Sequence, residues 1–130
     1  MKNERKYNKM NTKEKFIQMW VASVDIEADS GYNFMDLIDC SVHNEVLPKY
    51  IGAWANVIIQ SATINEALDL LEIGLNEKNF RIKFIDKIEN MYSLIEDDDV
   101  NEDIIKEAEW LYSSKYCFVI SDRLWPYVND

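Results

Sequence analysis

Residues 46–60, VLPKYIGAWANVIIQ, decide how the chain reads as a fold. Val46, Leu47, Tyr50, Ile51, Trp54, Val57, Ile58 and Ile59 fall three and four residues apart, the period of one face of an α-helix. Pro48 is tolerated in a first helical turn, where its missing N–H would have no partner anyway, so the expected helix starts near Leu47. Its apolar face is broad and Lys49 is its only base, so it is expected to be the most buried helix.

The flanks repeat the pattern. Asn11 and Glu14 have capping-box spacing, and Phe16, Ile17, Trp20, Val21 and Val24 follow at helical intervals, which predicts a helix over about 12–28 stopped by Ser30 and Gly31. Asn33 can cap a short second helix carrying Phe34, Leu37 and Ile38 and ending near 40–43. Thr63 and Glu66 form another capping box, before Ile64, Ala67, Leu68, Leu71 and Leu75, in a helix ending at 74–76. A further helix is expected over about 78–95, with Phe80, Phe84, Ile85, Ile88, Met91, Tyr92 and Ile95 inward. Its Lys78, Arg81, Lys83 and Lys87 interleave with Asp86 and Glu89 as on a solvated face. Ile104, Ile105, Ala108, Leu111 and Tyr112 mark a sixth helix from about Asn101. In the tail, residues 117–120 (CFVI) have the character of a short buried strand, but six helices leave it no partner. Helix is therefore expected to continue to about Leu124, with Pro126 closing the chain. Three glycines and two prolines are too few for a many-turned β-sandwich or barrel. The expectation is an all-α fold: one compact domain of about six to seven helices over 12–130, behind a basic, flexible N-terminal arm over 1–11.

A length of 130 residues suits a single domain. No apolar run approaches a membrane span, and the charged N-terminus lacks the apolar core of a secretory signal. Cys40 and Cys117 are the only cysteines, most simply reduced thiols, so a cytoplasmic location is expected. Net charge is −10 with a pI near 4.5, unevenly spread. Residues 1–15 hold six bases against two acids, leaving eight bases against twenty-two acids in the rest. Such a surface repels phosphate backbones, which argues against direct nucleic-acid binding and for a basic protein partner.

The carboxylates invite a metal, but the ligand patterns fail. A calcium loop starting at Asp97 places Asp99, Asn101 and Asp103 well, yet Glu102 stands where glycine is needed and Ala108 where a bidentate glutamate is needed. A di-iron bundle requires two Glu-x-x-His pairs, and the one histidine, His43, has no glutamate three residues before it. Cys40 and His43 have the spacing of half a zinc site, for which Cys117 and a carboxylate such as Asp39 would have to complete the set. Small buried thiols and a polar loop histidine are the simpler account. No phosphate-cradling glycine loop and no nucleophile–base signature is present. No catalytic residue, metal or cofactor is expected, and the chain does not read as an enzyme.

What remains is surface. Residues 96–109, EDDDVNEDIIKEAE, hold eight carboxylates and one base, and Asp97, Asp98, Asp99, Glu102 and Asp103 are its candidate partner-binding residues. A second base-free acidic stretch offers Asp25, Glu27 and Asp29, followed by Asp36 and Asp39. Near the C-terminus Trp125 and Tyr127 flank Pro126; Tyr127 is the better candidate for the interface, Trp125 for folding back onto the core. Exposed aromatics beside carboxylates suit a protein interface, where rings anchor and charges set rate and specificity.

In size, acidity and lack of catalytic signature the chain resembles the small bacterial immunity proteins of contact-dependent growth inhibition systems. That resemblance implies a monomer or weak dimer that binds a cognate basic toxin domain, a nuclease or ribonuclease, and covers its substrate cleft with an acidic surface. A phage-type DNA mimic that blocks a nucleic-acid enzyme, or a helical adaptor protein, are the alternatives.

Overall fold

Alternation, not helical periodicity, governs most of these segments. The computed structural model describes residues 15–38 and 49–128. Its frame is a four-stranded sheet built from β1 (Met19–Ala28), β2 (Tyr50–Gln60), β3 (Phe80–Asn90) and β4 (Phe118–Val128). The strands lie in the order β3-β1-β2-β4, with every neighbouring pair antiparallel. Helices α1 (Phe34–Leu37), α2 (Ile64–Glu77), α3 (Met91–Glu96) and α4 (Glu102–Ser113) join and cover them, and residues 15–17 add a helical turn before β1.

The expected all-α bundle is therefore overturned. The helices foreseen over 12–28, from Leu47 and over 78–95, and the helical tail to Leu124, are strands over most of their described length. The cause is local and physical. In β3 the register slips past Lys83 and Asp86, so Phe80, Ile82, Ile85 and Ile88 all face the core although three residues separate most of them. Two bulges thus counterfeit a helical period. In β2 both faces are buried at one end, since Val57 and Ile59 pack on one side and Ile58 on the other, which erases the alternation. β4 does have a partner: it runs along β2, with Ile120 opposite Val57 and Trp125 opposite Trp54.

Three capped helices start where expected, although α1 stops at Leu37 and not near 40–43, and Asn90 caps α3 as a separate helix at the end of the one expected over about 78–95. The Thr63 hydroxyl accepts the Glu66 N–H at the start of α2, and Asn101 accepts the Ile104 N–H at the start of α4. Asn33 caps α1 by accepting the Met35 N–H. The arm over 1–11, the Asn11–Glu14 capping box, Asp39, Cys40, His43 and residues 46–48 lie outside the described residues. Among the described residues no helix is long and apolar enough to cross a membrane.

The sheet separates two cores. On one face Ala67, Leu71 and Leu75 of α2 and Phe34 of α1 cover Ala22, Val24 and Ile26 of β1 and Ala53, Ala55, Val57 and Ile59 of β2. On the other, Met91 of α3 and Ile104, Ala108 and Leu111 of α4 enclose Phe16, Met19 and Ile58. The second cover is shorter. It reaches Val21 on β1 and Val119 on β4, and the outward residues beyond them turn polar or aromatic.

Leu71 and Ile73 separate this packing from helix propensity. Leu71 is fully buried in the α2 interface, whereas Ile73 on the same helix is 54% exposed. Leu71→Ala is expected to lower stability by about 2–5 kcal/mol, and Ile73→Ala to change it by less than about 0.5 kcal/mol, read from urea unfolding midpoints.

Candidate functional site

The site grows from the odd-numbered residues of β1. After Met19 and Val21, which lie under the helices, the same face continues with Ser23, Asp25 and Glu27. Register then fixes their neighbours. Ser23 stands between Asn56 and Lys87, Asp25 between Trp54 and Phe84, and Glu27 between Gly52 and Arg81. Beyond β2, Trp125 pairs with Trp54 and Tyr127 with Gly52. The uncovered half of this face is a shelf of four aromatic side chains around two carboxylates.

Its centre is Asp25, only 9% exposed although nothing but solvent lies over this part of the sheet among the described elements. The rings of Trp54 and Phe84 stand on strands either side of β1, and their centroids approach to 6.3 Å edge to face, flanking the aspartate between them. Tyr127 joins them by donating its phenolic O–H to Asp25 Oδ1 across β2. It can cross only because residue 52 is glycine: a Cβ there would lie 2.5 Å from Tyr127 Oη and 2.7 Å from the Ile26 carbonyl oxygen. Burial pushes the Tyr127 phenol well above its ordinary value of 10.0, and the hydrogen bond to Asp25 and the charges of Asp25 and Glu27 act the same way.

The charges around this centre are mostly spoken for. Arg81 Nε donates to Glu27 Oε1 at 2.7 Å, and Lys87 Nζ meets Glu89 Oε1 at 3.2 Å. Lys87 is held above its usual value by Glu89 first, with Asp99 and Asp86 contributing. No basic side chain among the described residues pairs with Asp25. The rings remain accessible, with Trp54 36%, Trp125 49% and Phe84 56% exposed.

The acidic stretch forms the rim. Asp99 lines a recess of about 190 Å³ with Ser23, Asn56, Lys87 and Asn101, where the α3–α4 connection meets the shelf. Asp103, in the first turn of α4, borders a second recess with Lys106, Asp122 and Arg123. There β4 bulges opposite Asn56, and Glu107 fastens the bulge by accepting the Ser121 hydroxyl at 2.8 Å and the Asp122 N–H at 3.1 Å. Asp97 and Asp98 are exposed on the same connection and Glu102 at the first position of α4, and Asp98 takes the left-handed φ of 53° that closes α3.

Of the residues singled out from sequence, Asp25, Glu27 and Tyr127 thus come together, with Asp99 and Asp103 at the edge. Asp29 does not join them. It turns the chain beyond β1, where its N–H donates to the Asn79 carbonyl and its side chain accepts the Ser30 N–H. Trp125, expected to fold back, stays on the open face. Trp54, Phe84, Gly52 and Arg81 were missed, because a residue placed on a helix has no cross-strand neighbour. Gly52 alone carried a signal, since an isolated glycine in a strand marks close approach of another group. Among the described residues no group of three or more His, Cys, Asp or Glu side chains is arranged to hold a metal ion.

Tyr127→Phe and Gly52→Ala probe this centre in different ways. Removing the hydroxyl strips Asp25 of its donor and is expected to cost about 1–3 kcal/mol. Gly52→Ala is expected to destabilise by about 1–3 kcal/mol, because the Ile26 carbonyl cannot swing aside. The folded protein holds the Tyr127 proton more tightly than the unfolded chain does. Its contribution is therefore complete below pH 10.0, the unfolded value, and is lost as pH rises from there toward the folded value. Between about pH 9 and about pH 11 the melting temperature of the wild type should fall more steeply than that of Tyr127→Phe; equal slopes would contradict the bond.

No protein-family model matches the chain, and neither any curated protein nor any solved structure shows significant similarity to it.

Proposed function

We propose that the chain binds a basic protein through the open half of the sheet, and that it is an immunity protein which neutralises a cognate toxin domain. The observation that carries this is the meeting of exposed Trp54, Phe84 and Trp125 with Asp25 and Glu27 on one surface, rimmed by Asp99 and Asp103. Large rings that keep a third to more than half of their surface in water are costly on a free monomer, and they are the residue types that anchor interfaces. The acidic rim supplies a field for rapid capture of a cationic partner, raising association above the neutral range of about 10⁵–10⁶ M⁻¹s⁻¹. A nuclease cleft is cationic because it binds phosphate, so the same field directs this surface onto the catalytic opening and keeps substrate out. The work is done in the cytoplasm, by a monomer or weak dimer, and needs no chemistry from this chain.

A sheet with exposed aromatics also suits stacking of single-stranded nucleic acid, but that requires free cations along the groove. Arg81 and Lys87 are each paired with a glutamate, Lys106 and Arg123 share their recess with Asp103, Glu107 and Asp122, and net charge is −10. The DNA-mimic alternative wants carboxylates spaced like phosphates, whereas here rings occupy the centre. The adaptor alternative assumed an apolar helix face in an all-α bundle, a premise the sheet removes.

The direct test expresses the toxic C-terminal domain encoded by the reading frame adjoining that of this chain, with and without the chain. Co-expression should restore growth. Trp54→Ala/Trp125→Ala, checked for folding by circular dichroism, should lose protection. Asp97→Lys/Asp99→Lys/Asp103→Lys should slow association about tenfold and flatten its salt dependence. Absence of protection by the wild type, or full protection by the tryptophan variant, would overturn the proposal.

A further inference from the structure

Asp25 keeps one carboxylate oxygen, Oδ2, open on the shelf, since Gln60 Oε1 is the one fully buried side-chain acceptor left without a partner among the described residues. Asp25 is nine-tenths buried, yet its only hydrogen bond comes from the neutral Tyr127 hydroxyl at Oδ1. Oδ2 takes no hydrogen bond and no cation from the described residues. Glu27, the neighbouring carboxylate on the same strand, is by contrast neutralised by Arg81. A carboxylate oxygen open beside aromatic rings, with no counter-ion among the described residues, suits a cation delivered from outside.

The walls of the site specify which cation. Trp54 and Phe84 flank Asp25, and Trp125 extends the ring surface along β2 and β4. π-faces attract cations, and a planar guanidinium stacks on them while directing its N–H groups in the plane toward a carboxylate. A lysine ammonium does only half of this. It is a strongly hydrated point charge with no planar face to stack.

We infer that the Trp54–Phe84–Trp125 surface around Asp25 is a binding site for a guanidinium group, and that the partner protein anchors itself here through one arginine side chain. The inference rests on the protein-binding role assigned to this face and names the anchor within it. The arginine lies against the indole rings, with its N–H groups directed at Asp25 Oδ2. Arg81 already pairs with Glu27, which leaves Asp25 as the shelf carboxylate without a cation among the described residues.

The intrinsic tryptophans make this testable without the partner. Trp54 and Trp125 belong to the site, Trp20 Nε1 is tied to the Ser61 carbonyl at 3.1 Å, and Trp110 lies on α4, stacked on Tyr116. The indole N–H resonances of ¹⁵N-labelled protein are followed while N-acetyl-argininamide is added, with N-acetyl-citrullinamide and N-acetyl-lysinamide in parallel. Citrulline keeps the shape and loses the charge. The arginine compound should shift Trp54 and Trp125 saturably and leave Trp20 and Trp110 in place. Citrulline should bind about tenfold or more weakly, with lysine intermediate. Asp25→Asn, whose amide oxygen still accepts from Tyr127, should lower arginine affinity about tenfold with the fold intact. No saturable shift, equal binding of citrulline, or unchanged affinity in Asp25→Asn each overturns the inference. The protection assay distinguishes the two levels: an Asp25→Asn chain that binds no arginine compound yet still protects sinks the arginine anchor and leaves the immunity reading standing.

Discussion

The fold depends on one unequal division of labour: α2 and α1 cover one face of the sheet over β1 and β2, while α3 and α4 cover only one end of the other. β1 records the consequence residue by residue. Its even positions, from Trp20 to Ala28, belong without interruption to the core that holds α2. Its odd positions begin apolar at Met19 and Val21 and become Ser23, Asp25 and Glu27 where α4 ends. An antiparallel sheet tolerates a wet face, so the arrangement is stable without further cover. Among the described residues, about half of one face carries no cover.

That free half is held in shape by a small set of linked contacts. Gly52 leaves space over β2, Tyr127 crosses it, and its hydroxyl secures Asp25 between Trp54 and Phe84. Glu107 pins the β4 bulge that precedes Trp125, so the strand is already placed before it reaches the shelf. The surface is therefore pre-organised, which spares a partner much of the cost of ordering it. The carboxylates of the α3–α4 connection lie where helix cover stops and open surface begins, and their field adjoins the rings instead of being buried with them.

Three capped helices were legible in the sequence because a cap is a local chemical event. Thr63 and Asn101 each satisfy a backbone donor within three residues, and no distant element is needed to read them. The strands were not legible, for two distinct reasons. Bulges past Lys83 and Asp86 give β3 a three-residue inward spacing, and two-sided burial of β2 at Val57, Ile58 and Ile59 removes its alternation. Both effects come from neighbouring strands, so periodicity in one segment could not reveal them. The site divides in the same way. Asp25, Glu27 and Tyr127 stood out by charge and exposure, but their meeting depends on register across β1, β2 and β4. Trp54 and Phe84 looked like core because apolar rings usually are.

The central claim is that this half-covered face is the surface the molecule uses. Hydrogen–deuterium exchange of the chain, alone and bound to the proposed basic partner domain, tests it most directly. The account predicts slowed exchange in peptides spanning 23–27, 52–56, 81–87 and 97–103 and in the C-terminal part of β4, with α2 unchanged. Protection confined to α2, or to the Trp110–Tyr116 side of α4, would contradict it.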